Sequence, residues 1–591
     1  MSINTMWDGL TNPDAMVLDH DWDYAVSHGR VLRQLLFEHG TVPVWNFIFC
    51  GGGPELANPQ SFAWTPFSLP LYLVHPVYFF LGLWLAMSAL GFWALQRLLR
   101  DHGIGRLSAA VGAGIFVFSG YFISHFRVGH WGFAFFHLIP ALMLAANKLM
   151  EFNPRQIASK RRWMFLLWLF SWILFTNGIP QTLFYPYLAF PVFVMAIAHK
   201  AATKKRLLVI ITLHALGAVA AAYKLIPVMM WSQKYPRALE KTEHQSFADV
   251  LGALVIPYEE QLKAVSIAND RLFGVWEYSA FVGPTVIIFV LLGLLWLRNP
   301  KKPETAFLIR FALICGIIGA WLSTGNQSAW SLGFYFRQLP FASSIRSFGR
   351  YEVLVVLAIA ILAAAGMSVL LEQLNAWLKV RRVKEKWPLR FTVLKILSVL
   401  ILVAATFDQM LANNVVLLKR IRAVPRDDVA KIYGVDFSRT QMISARGIFS
   451  TDMDLLAEKR QWIDNCYEPL PNGLLRNFQG PEGILELSSP PPSAIEYGAS
   501  SVTFRYLDSA NNASVREIQF NMPLFAGYTY DPPATLKRPN GQLVFDVRQL
   551  KSGTITVHGP ETVPWWSVLV SACGFLGAAV VIFGWPRRVR L

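Results

Sequence analysis

Three carboxylates stand close together near the N-terminus, in the run Asp19-His20-Asp21-Trp22-Asp23. Carboxylates at a membrane surface can act as a general base toward a hydroxyl group, or can hold a divalent cation such as Mg²⁺ or Mn²⁺ through oxygen ligands. The same run also fits a solvated acidic loop at the start of a helix, because acidic side chains are favoured there. The run alone leaves these interpretations open.

The composition is too apolar for a water-soluble protein. Of the 591 residues, 54% are hydrophobic and 15% are charged, whereas charged residues make up about a quarter of a typical soluble domain. The formal charge of +17 does not indicate a nucleic-acid-binding protein, because Lys and Arg occur in short bursts between apolar runs. We therefore expect the chain to be embedded in membrane lipids and not to bind nucleic acid.

Eleven apolar runs are long enough to cross the hydrocarbon core of a bilayer, which is about 30 Å thick. They lie near residues 75–97, 107–123, 132–149, 163–177, 183–199, 206–226, 277–297, 305–323, 349–371, 391–410 and 564–584. The sequence therefore predicts an α-helical polytopic membrane protein with about 11 spans and a C-terminal extracytoplasmic β-rich domain.

Basic residues alternate strictly between successive loops, and cytoplasmic loops carry the excess of Lys and Arg. The basic loops contain Arg97, Arg100 and Arg106; Lys160, Arg161 and Arg162; Lys204, Lys205 and Arg206; Arg298, Lys301 and Lys302; Arg381, Arg382, Lys384 and Lys386; and Arg587, Arg588 and Arg590. Residues 1–70 are then outside the cytoplasm, although Met1–Met16 contain no apolar stretch that could be a signal sequence or a first span. We therefore expect a first helix upstream of this sequence; translocation of the tail without such a helix is the alternative.

The same pattern divides the chain into four segments. They are a first outer loop with the acidic run and an amphipathic helix at 1–70, a bundle of about ten helices at 71–410, an extracytoplasmic soluble domain at 411–563, and a last helix with a basic cytoplasmic tail at 564–591. Alternating runs at 502–506 and 554–557 predict strands at the end of the soluble domain. We expect a small β-sandwich there.

The cysteines do not have the spacing of a metal site, and one histidine pair is open to two interpretations. The cysteines are Cys50, Cys315, Cys466 and Cys573; none forms a CxxC pair, and a disulfide between Cys50 and Cys466 stays an open question. His125 and His130 flank Arg127 in a predicted outer loop. A metal site is conceivable there, but two histidines five positions apart do not share one face of a helix, so packing at the lipid interface is the favoured role of this cluster.

Charged residues at the predicted outer ends of spans are candidates for binding. Arg346 and Arg350 are about one helical turn apart and could neutralise the phosphate of a lipid-linked substrate. The alternative is that they pair with local acids or extend to the interface, but outer arginines run against the positive-inside bias. Glu277 and Lys224 could face the bundle interior, where ionisable residues are usually functional, or could be in water.

The order of several short motifs resembles the YfhO-like family of bacterial membrane proteins, which is grouped with the GT-C glycosyltransferases. The motifs are the acidic run; an amphipathic stretch with Val31, Leu32, Leu35 and Leu36 opposite Arg30 and Arg33; Pro43-Val44-Trp45-Asn46; Gly51-Gly52-Gly53-Pro54; Asn58-Pro59-Gln60; Asn177-Gly178-Ile179-Pro180-Gln181; Leu225-Ile226-Pro227; Leu339-Pro340 with Arg346 and Arg350; and Phe525-Ala526-Gly527-Tyr528. The resemblance covers most of the chain, and each motif is short. A histidine common in the family's Gly-x-Pro-Gln loop is replaced here by Ile179.

The resemblance implies a glycosyltransferase of the bacterial inner membrane. It implies a polyprenyl-phosphate sugar donor, a glycan, lipid or protein acceptor outside the cytoplasm, and transfer with inversion at the sugar. It implies Asp21 as the base, with Asp19 and Asp23 as substitutes. From their position and chemistry, we expect Arg346 and Arg350 to be donor-phosphate ligands, and Trp45, Asn46, Gln60 and Gln181 to be substrate-binding residues. The sequence predicts no metal-ligand set, and a divalent cation (Mg²⁺ or Mn²⁺) on the acidic run is the one cofactor that the residue types allow.

Two other classes of function fit the same sequence. A transporter of lipid-linked glycans or a non-catalytic envelope-assembly protein would also be polytopic, but transporters typically show internal repeats and interrupted charged helices, and neither is evident here. Alternatively, the outer β-rich domain could bind glycan while the membrane part is only a scaffold.

Overall fold

The structure is a computed structural model, and it describes residues 16–17, 21–48, 52–151, 157–177, 185–198, 204–234, 245–257, 274–295, 303–339, 345, 347–382, 422–423, 442–443, 462–463, 484–485, 488–489, 494–499, 501–506, 517–520, 529–533, 535–537, 542–546, 554–559 and 564–584. The chain forms two compact units. The first comprises Met1–Leu81, Val219–Ala238 and Ile421–Cys573, and the second comprises Gly82–Ala218, Leu239–Arg420 and Gly574–Leu591.

The described part of the chain is mainly helical. Its α-helices are Asp21–His39, Ser68–Leu73, Pro76–Asp101, Arg106–Val117, Gly120–Arg127, Leu138–Met150, Ile157–Thr176, Ala189–Ala198, Lys204–Ala220, Ala222–Lys234, Phe247–Val255, Pro284–Leu295, Pro303–Ser323, Leu332–Phe336, Glu352–Arg382 and Trp565–Phe583. Short 3₁₀ helices occupy Trp131–His137, Pro186–Leu188, Val275–Glu277 and Gly349–Tyr351.

Six helical segments within the described ranges are long and apolar enough to cross a membrane. They are Pro76–Asp101, Arg106–Arg127, Trp131–Met150, Pro303–Ser323, Gly349–Leu374 and Trp565–Phe583. A seventh would be the pair Lys204–Ala220 and Ala222–Lys234, which passes the same test together but bends by 67° at its break. The chain is therefore a multi-pass membrane protein.

The six segments coincide with six of the eleven predicted spans. The predicted span at 206–226 falls on the bent pair, and those at 183–199 and 277–297 contain the shorter apolar helices Pro186–Ala198 and Pro284–Leu295. Residues 163–177 fall on helix Ile157–Thr176, and 391–410 lie outside the described residues. The total of eleven spans stays a prediction.

The core of the second unit is organised around the long helix Glu352–Arg382. This helix packs against Pro284–Leu295, Pro303–Ser323 and Arg106–Val117, and almost all of its first seventeen side chains are buried. A Cβ atom on Gly366 would overlap the carbonyl oxygen of Phe289. Small residues thus allow close backbone approach, as is common between membrane helices, where packing replaces the hydrophobic effect.

In the first unit, the predicted amphipathic helix is confirmed as Asp21–His39. Val31, Leu32 and Leu35 are buried, as the helical spacing of the apolar positions requires, while Arg30 and Arg33 are half-buried. A short hairpin follows, in which Trp45–Asn46 pairs antiparallel with Gly53–Pro54. The helix and the hairpin carry the candidate residues of the first outer segment.

The C-terminal part of the first unit contains two four-stranded antiparallel sheets. The first has the order Thr529–Asp531, Thr554–His558, Ser501–Arg505, Ala494–Tyr497, and the second has the order Thr535–Lys537, Gln542–Asp546, Glu517–Phe520, Ser488–Ser489. Shorter pairings join Met442–Ile443 to both Trp462–Ile463 and Ile484–Leu485, and Met16–Val17 to Arg422–Ala423.

The two strands predicted from alternating sequence are present and pair with each other. Val502 and Phe504 are buried on one face, whereas Thr503 on the other face lies opposite Thr556, with the two hydroxyl oxygens 3.0 Å apart. The alternation follows from the period of two in a strand. That the two sheets form a sandwich stays a prediction.

Candidate functional site

The acidic run begins the amphipathic helix. Asp21 is its first residue and Asp23 lies in the same first turn, where the helix dipole stabilises negative charge. Their burial differs, because Asp23 is 1% exposed and Asp21 is half-buried. Asp21 is therefore the more accessible of the two described acids; Asp19 lies outside the described residues.

A buried carboxylate, Glu55, lies at the centre of a polar cluster in the first unit. Its Oε1 atom is 2.7 Å from Nε2 of His28 and accepts a hydrogen bond of 2.9 Å from the side-chain amide of Asn46. Its Oε2 atom accepts a hydrogen bond from the Ser61 hydroxyl. All four side chains are less than 10% exposed. We call these four residues the Glu55 cluster.

The turns around the hairpin explain why these side chains converge. Asn46 pairs with Gly53 across the hairpin, which places its amide beside Glu55, two residues after Gly53. The Asn46 side-chain oxygen accepts from the backbone N–H of Ile48 at 2.9 Å. The side-chain nitrogen and the side-chain oxygen of Asn46 thus both make hydrogen bonds within the protein, which position the turn. Substrate contact by Asn46 stays a prediction.

The loop that carries Ser61 is tied to the helix Ala222–Lys234. The ammonium group of Lys224, which is 2% exposed, donates to the carbonyl oxygen of Ser61. The neighbouring Tyr223 hydroxyl donates to the carbonyl oxygen of Trp64 at 2.8 Å. Lys224 therefore faces the interior of the first unit and not water.

The Glu55 cluster makes stability depend on pH. Burial alone would raise the pKa of the Glu55 carboxyl, but the adjacent His28 and the three hydrogen bonds outweigh burial and lower this pKa. A lowered folded-state pKa stabilises the fold above the unfolded pKa, which is about 4.3 for Glu, and this stabilisation is lost as pH falls through the folded value. We expect the thermal unfolding midpoint in detergent to fall steeply below about pH 4.3, and this component to be absent in Glu55→Gln. An equal fall in both proteins would contradict the assignment.

Trp45 is part of the core of the first unit. Its side chain is 1% exposed and packs edge-on against Trp231, with ring centroids 5.5 Å apart. The backbone N–H groups of Val44 and Trp45 donate to the carbonyl oxygen of Ala499 at 2.7 and 3.1 Å. This geometry favours turn packing, and sugar stacking by Trp45 stays a prediction.

The remaining predicted substrate residues have different positions. Gln60 is half-buried, and its backbone N–H donates to the side-chain oxygen of Asn58 at 2.8 Å. The indole N–H of Trp64 donates to the carbonyl oxygen of Pro43 at 2.8 Å. Gln181 lies outside the described residues.

In the second unit, Arg350 forms a buried ion pair with Glu277. The Nε and Nη2 groups of Arg350 donate to Oε2 and Oε1 of Glu277 at 2.6 and 2.5 Å, and the two side chains are 9% and 5% exposed. The guanidinium also lies 5.2 Å from the ring centroid of Phe133 and 5.8 Å from that of Tyr185. The sequence-based alternative of pairing with a local acid is thus realised, and a phosphate would have to share Arg350 with Glu277. Arg346 lies outside the described residues.

His125 and His130 lie beside this ion pair and contact each other. Helix Gly120–Arg127 ends between them, and the backbone N–H of His130 donates to the carbonyl oxygen of His125 at 3.0 Å. Their Nδ1 atoms are 2.7 Å apart. The prediction from their spacing applied to positions on one continuous helix, whereas the helix ends at Arg127, before His130. A ligand atom from each histidine and one from Glu277 lie within 4.8 Å of one another.

This second cluster brings together three predicted span ends, and on which side of the membrane they lie stays a prediction. His130, Glu277 and Arg350 belong to three span ends that the distribution of Lys and Arg independently places outside the cytoplasm. Their contact within one unit requires all three ends to be on the same side.

Sequence reasoning missed His28, Glu55 and Ser61. Glu55 lies 27 positions after His28 and 6 positions before Ser61. No helical or strand period links residues at these separations across a hairpin. A signal was nevertheless present, since Glu55 directly follows Gly51-Gly52-Gly53-Pro54, a turn element that brings flanking polar residues together.

Comparisons with known proteins leave the family open. No protein-family model and no characterised protein sequence matches the chain. Among solved structures, the chain is similar to a cryo-EM structure of the arabinofuranosyltransferase AftD from mycobacteria, with 15% sequence identity and a TM-score of 0.43 over 80% of this chain and 34% of that chain. The match thus spans about a third of the AftD structure, and neither family nor activity follows from it.

Proposed function

We propose that this protein is an integral membrane glycosyltransferase of the GT-C type, which transfers a sugar from a polyprenyl-phosphate donor to an extracytoplasmic glycan, lipid or protein acceptor. One observation carries the proposal. The first five motifs of the YfhO-like resemblance converge in one unit, where the helix that contains the acidic run and the amphipathic stretch, the Trp-Asn hairpin, the Gly-Pro element and the segment after Asn58-Pro59-Gln60 meet at the Glu55 cluster. Such a buried polar framework can hold the start of the helix, and hence Asp21, in a fixed position.

In the proposed reaction, Asp21 acts as the general base. Its carboxylate accepts the proton of the acceptor hydroxyl, and the acceptor oxygen attacks the anomeric carbon of the donor sugar. The bond between that carbon and the phosphate oxygen breaks, so polyprenyl phosphate leaves with the bonding electron pair and the anomeric configuration inverts. Asp21 suits this role better than Asp23, because a base must reach the acceptor and Asp23 is buried.

The donor phosphate must be neutralised near the lipid headgroups. Arg346 and Arg350 remain the proposed ligands. In this proposal Arg350 contributes positive charge to the phosphate while its Nε and Nη2 groups keep their hydrogen bonds to Glu277. Mg²⁺ or Mn²⁺ on the acidic run is the alternative means of neutralisation.

The test compares lipid-linked sugars and envelope glycans by mass spectrometry in cells that contain the wild-type protein, no protein, Asp21→Asn or Glu38→Gln. Glu38 is an exposed acid at the other end of the same helix and is the matched control. We expect one sugar addition to be lost, and its donor to accumulate, both in the deletion and in Asp21→Asn at normal protein level, because the amide cannot accept the proton. Glu38→Gln should retain the product. Loss in the deletion alone would refute the assigned base and favour transport or assembly.

A further inference from the structure

We propose that His125, His130 and Glu277 form a binding site for a transition-metal ion of the Zn²⁺ class, with Arg350 as the outer partner of the carboxylate ligand. One ligand atom from each of the three residues lies within 4.8 Å of the other two. Two bonds of about 2.0–2.1 Å at a tetrahedral angle place ligand atoms about 3.3 Å apart, so small side-chain rotations bring the set to coordination distance.

The burial of His125 points to a ligand. The side chain is 0% exposed, and its Nε2 atom has no hydrogen-bond partner among the described residues. A buried polar atom without a partner destabilises the fold. A metal ion bound to one ring nitrogen of His125 would leave the other nitrogen to carry the proton. The half-buried His130 provides the side of the cluster that is accessible to an entering ion.

The donor set selects the class of metal. Two imidazoles and one carboxylate suit Zn²⁺ and its neighbours, whereas Mg²⁺ and Ca²⁺ prefer oxygen ligands alone. Three protein ligands leave a fourth position open. Because Glu277 supplies the only negative charge of the set and Arg350 adds a positive one, the open position favours an anionic oxygen, such as hydroxide or a phosphate oxygen.

Arg350 fixes the carboxylate for this role. Its two hydrogen bonds, of 2.6 and 2.5 Å, hold the plane of Glu277. Ligating carboxylates are commonly hydrogen-bonded in this way, and loss of such an outer partner typically lowers metal affinity about 10–100-fold. The competing arrangement is metal-free, with the ion pair and the histidine contact as packing interactions only.

The test uses the purified full chain in detergent, stripped with a chelator and dialysed against Zn²⁺, with bound metal measured by mass spectrometry. We expect one tightly bound Zn²⁺ per chain, an affinity lowered at least about 100-fold by His125→Gln or His130→Gln, and about 10–100-fold by Arg350→Lys. His137→Gln changes another buried histidine of the adjoining segment Trp131–His137 and should bind as the wild type does.

Co²⁺ added to the stripped wild-type chain provides a second measurement that needs no variant. A four-coordinate site with nitrogen ligands should give the strong visible absorption of tetrahedral Co²⁺, and Zn²⁺ should remove it. Absence of stoichiometric Zn²⁺ binding, a Co²⁺ spectrum like that of the free ion, or unchanged affinity in both histidine variants would overturn the proposal. None of these readouts depends on glycosyl transfer.

Discussion

The variant Glu277→Gln is expected to lower the free energy of unfolding by about 3–5 kcal/mol, because it leaves the Arg350 guanidinium buried without its counter-charge. Arg350 and Glu277 are among the least exposed charged side chains of the described residues. The measurement is denaturant or thermal unfolding in detergent, with a chelator present so that metal loss does not contribute.

A double variant separates pairing from packing. When Glu277→Leu and Arg350→Met are combined, both charges are removed, and replacing a buried ion pair by apolar side chains is often nearly neutral. The double variant should therefore be more stable than Glu277→Gln alone. Glu304→Gln, at an exposed acid in the first turn of Pro303–Ser323, should change stability by less than about 0.5 kcal/mol. The single variants Glu277→Leu and Arg350→Met complete the comparison. If their losses of unfolding free energy add in the double variant, the two residues are not coupled.

The elements that follow from local sequence patterns were predictable. The apolar faces of Asp21–His39 and the alternation in Ser501–Arg505 depend only on the periods of a helix and a strand. The longest apolar runs likewise coincide with helices such as Pro76–Asp101 and Trp565–Phe583. In each case the residues that determine the structure are neighbours in the sequence.

The clusters depend on contacts that no local period encodes. His125 and Glu277 are more than a hundred residues apart in the sequence, and both belong to one group of ligand atoms. Composition also placed residues 1–70 and 411–563 in separate segments, although the Val44 N–H donates to Ala499 within one compact unit. Buried polar networks are specified by which elements meet, so their members appear unremarkable until the fold is known.

The second large effect is expected at the Glu55 cluster. Glu55→Gln retains the size of the side chain but removes the charge that His28, Asn46 and Ser61 surround. Its amide NH₂ would also face donors where an oxygen accepted hydrogen bonds. We expect a loss of about 1–3 kcal/mol in unfolding free energy near pH 7, because buried donors lose an acceptor that they bind in the wild type. Glu38→Gln, exposed on the same helix, should show almost no loss.

A double-mutant cycle identifies the principal partner of Glu55. If the contact with His28 dominates, combining Glu55→Gln with His28→Gln should cost less than the sum of the single effects, by about 0.5–3 kcal/mol. Strict additivity would instead assign the stabilisation to Asn46 and Ser61. The distinction matters for the proposed function, because His28 belongs to the helix that begins at Asp21, whereas Asn46 and Ser61 belong to the loops. Coupling through His28 would mean that Glu55 holds the helix of the proposed base directly, and its loss should then lower glycosyl transfer beyond the effect on protein level.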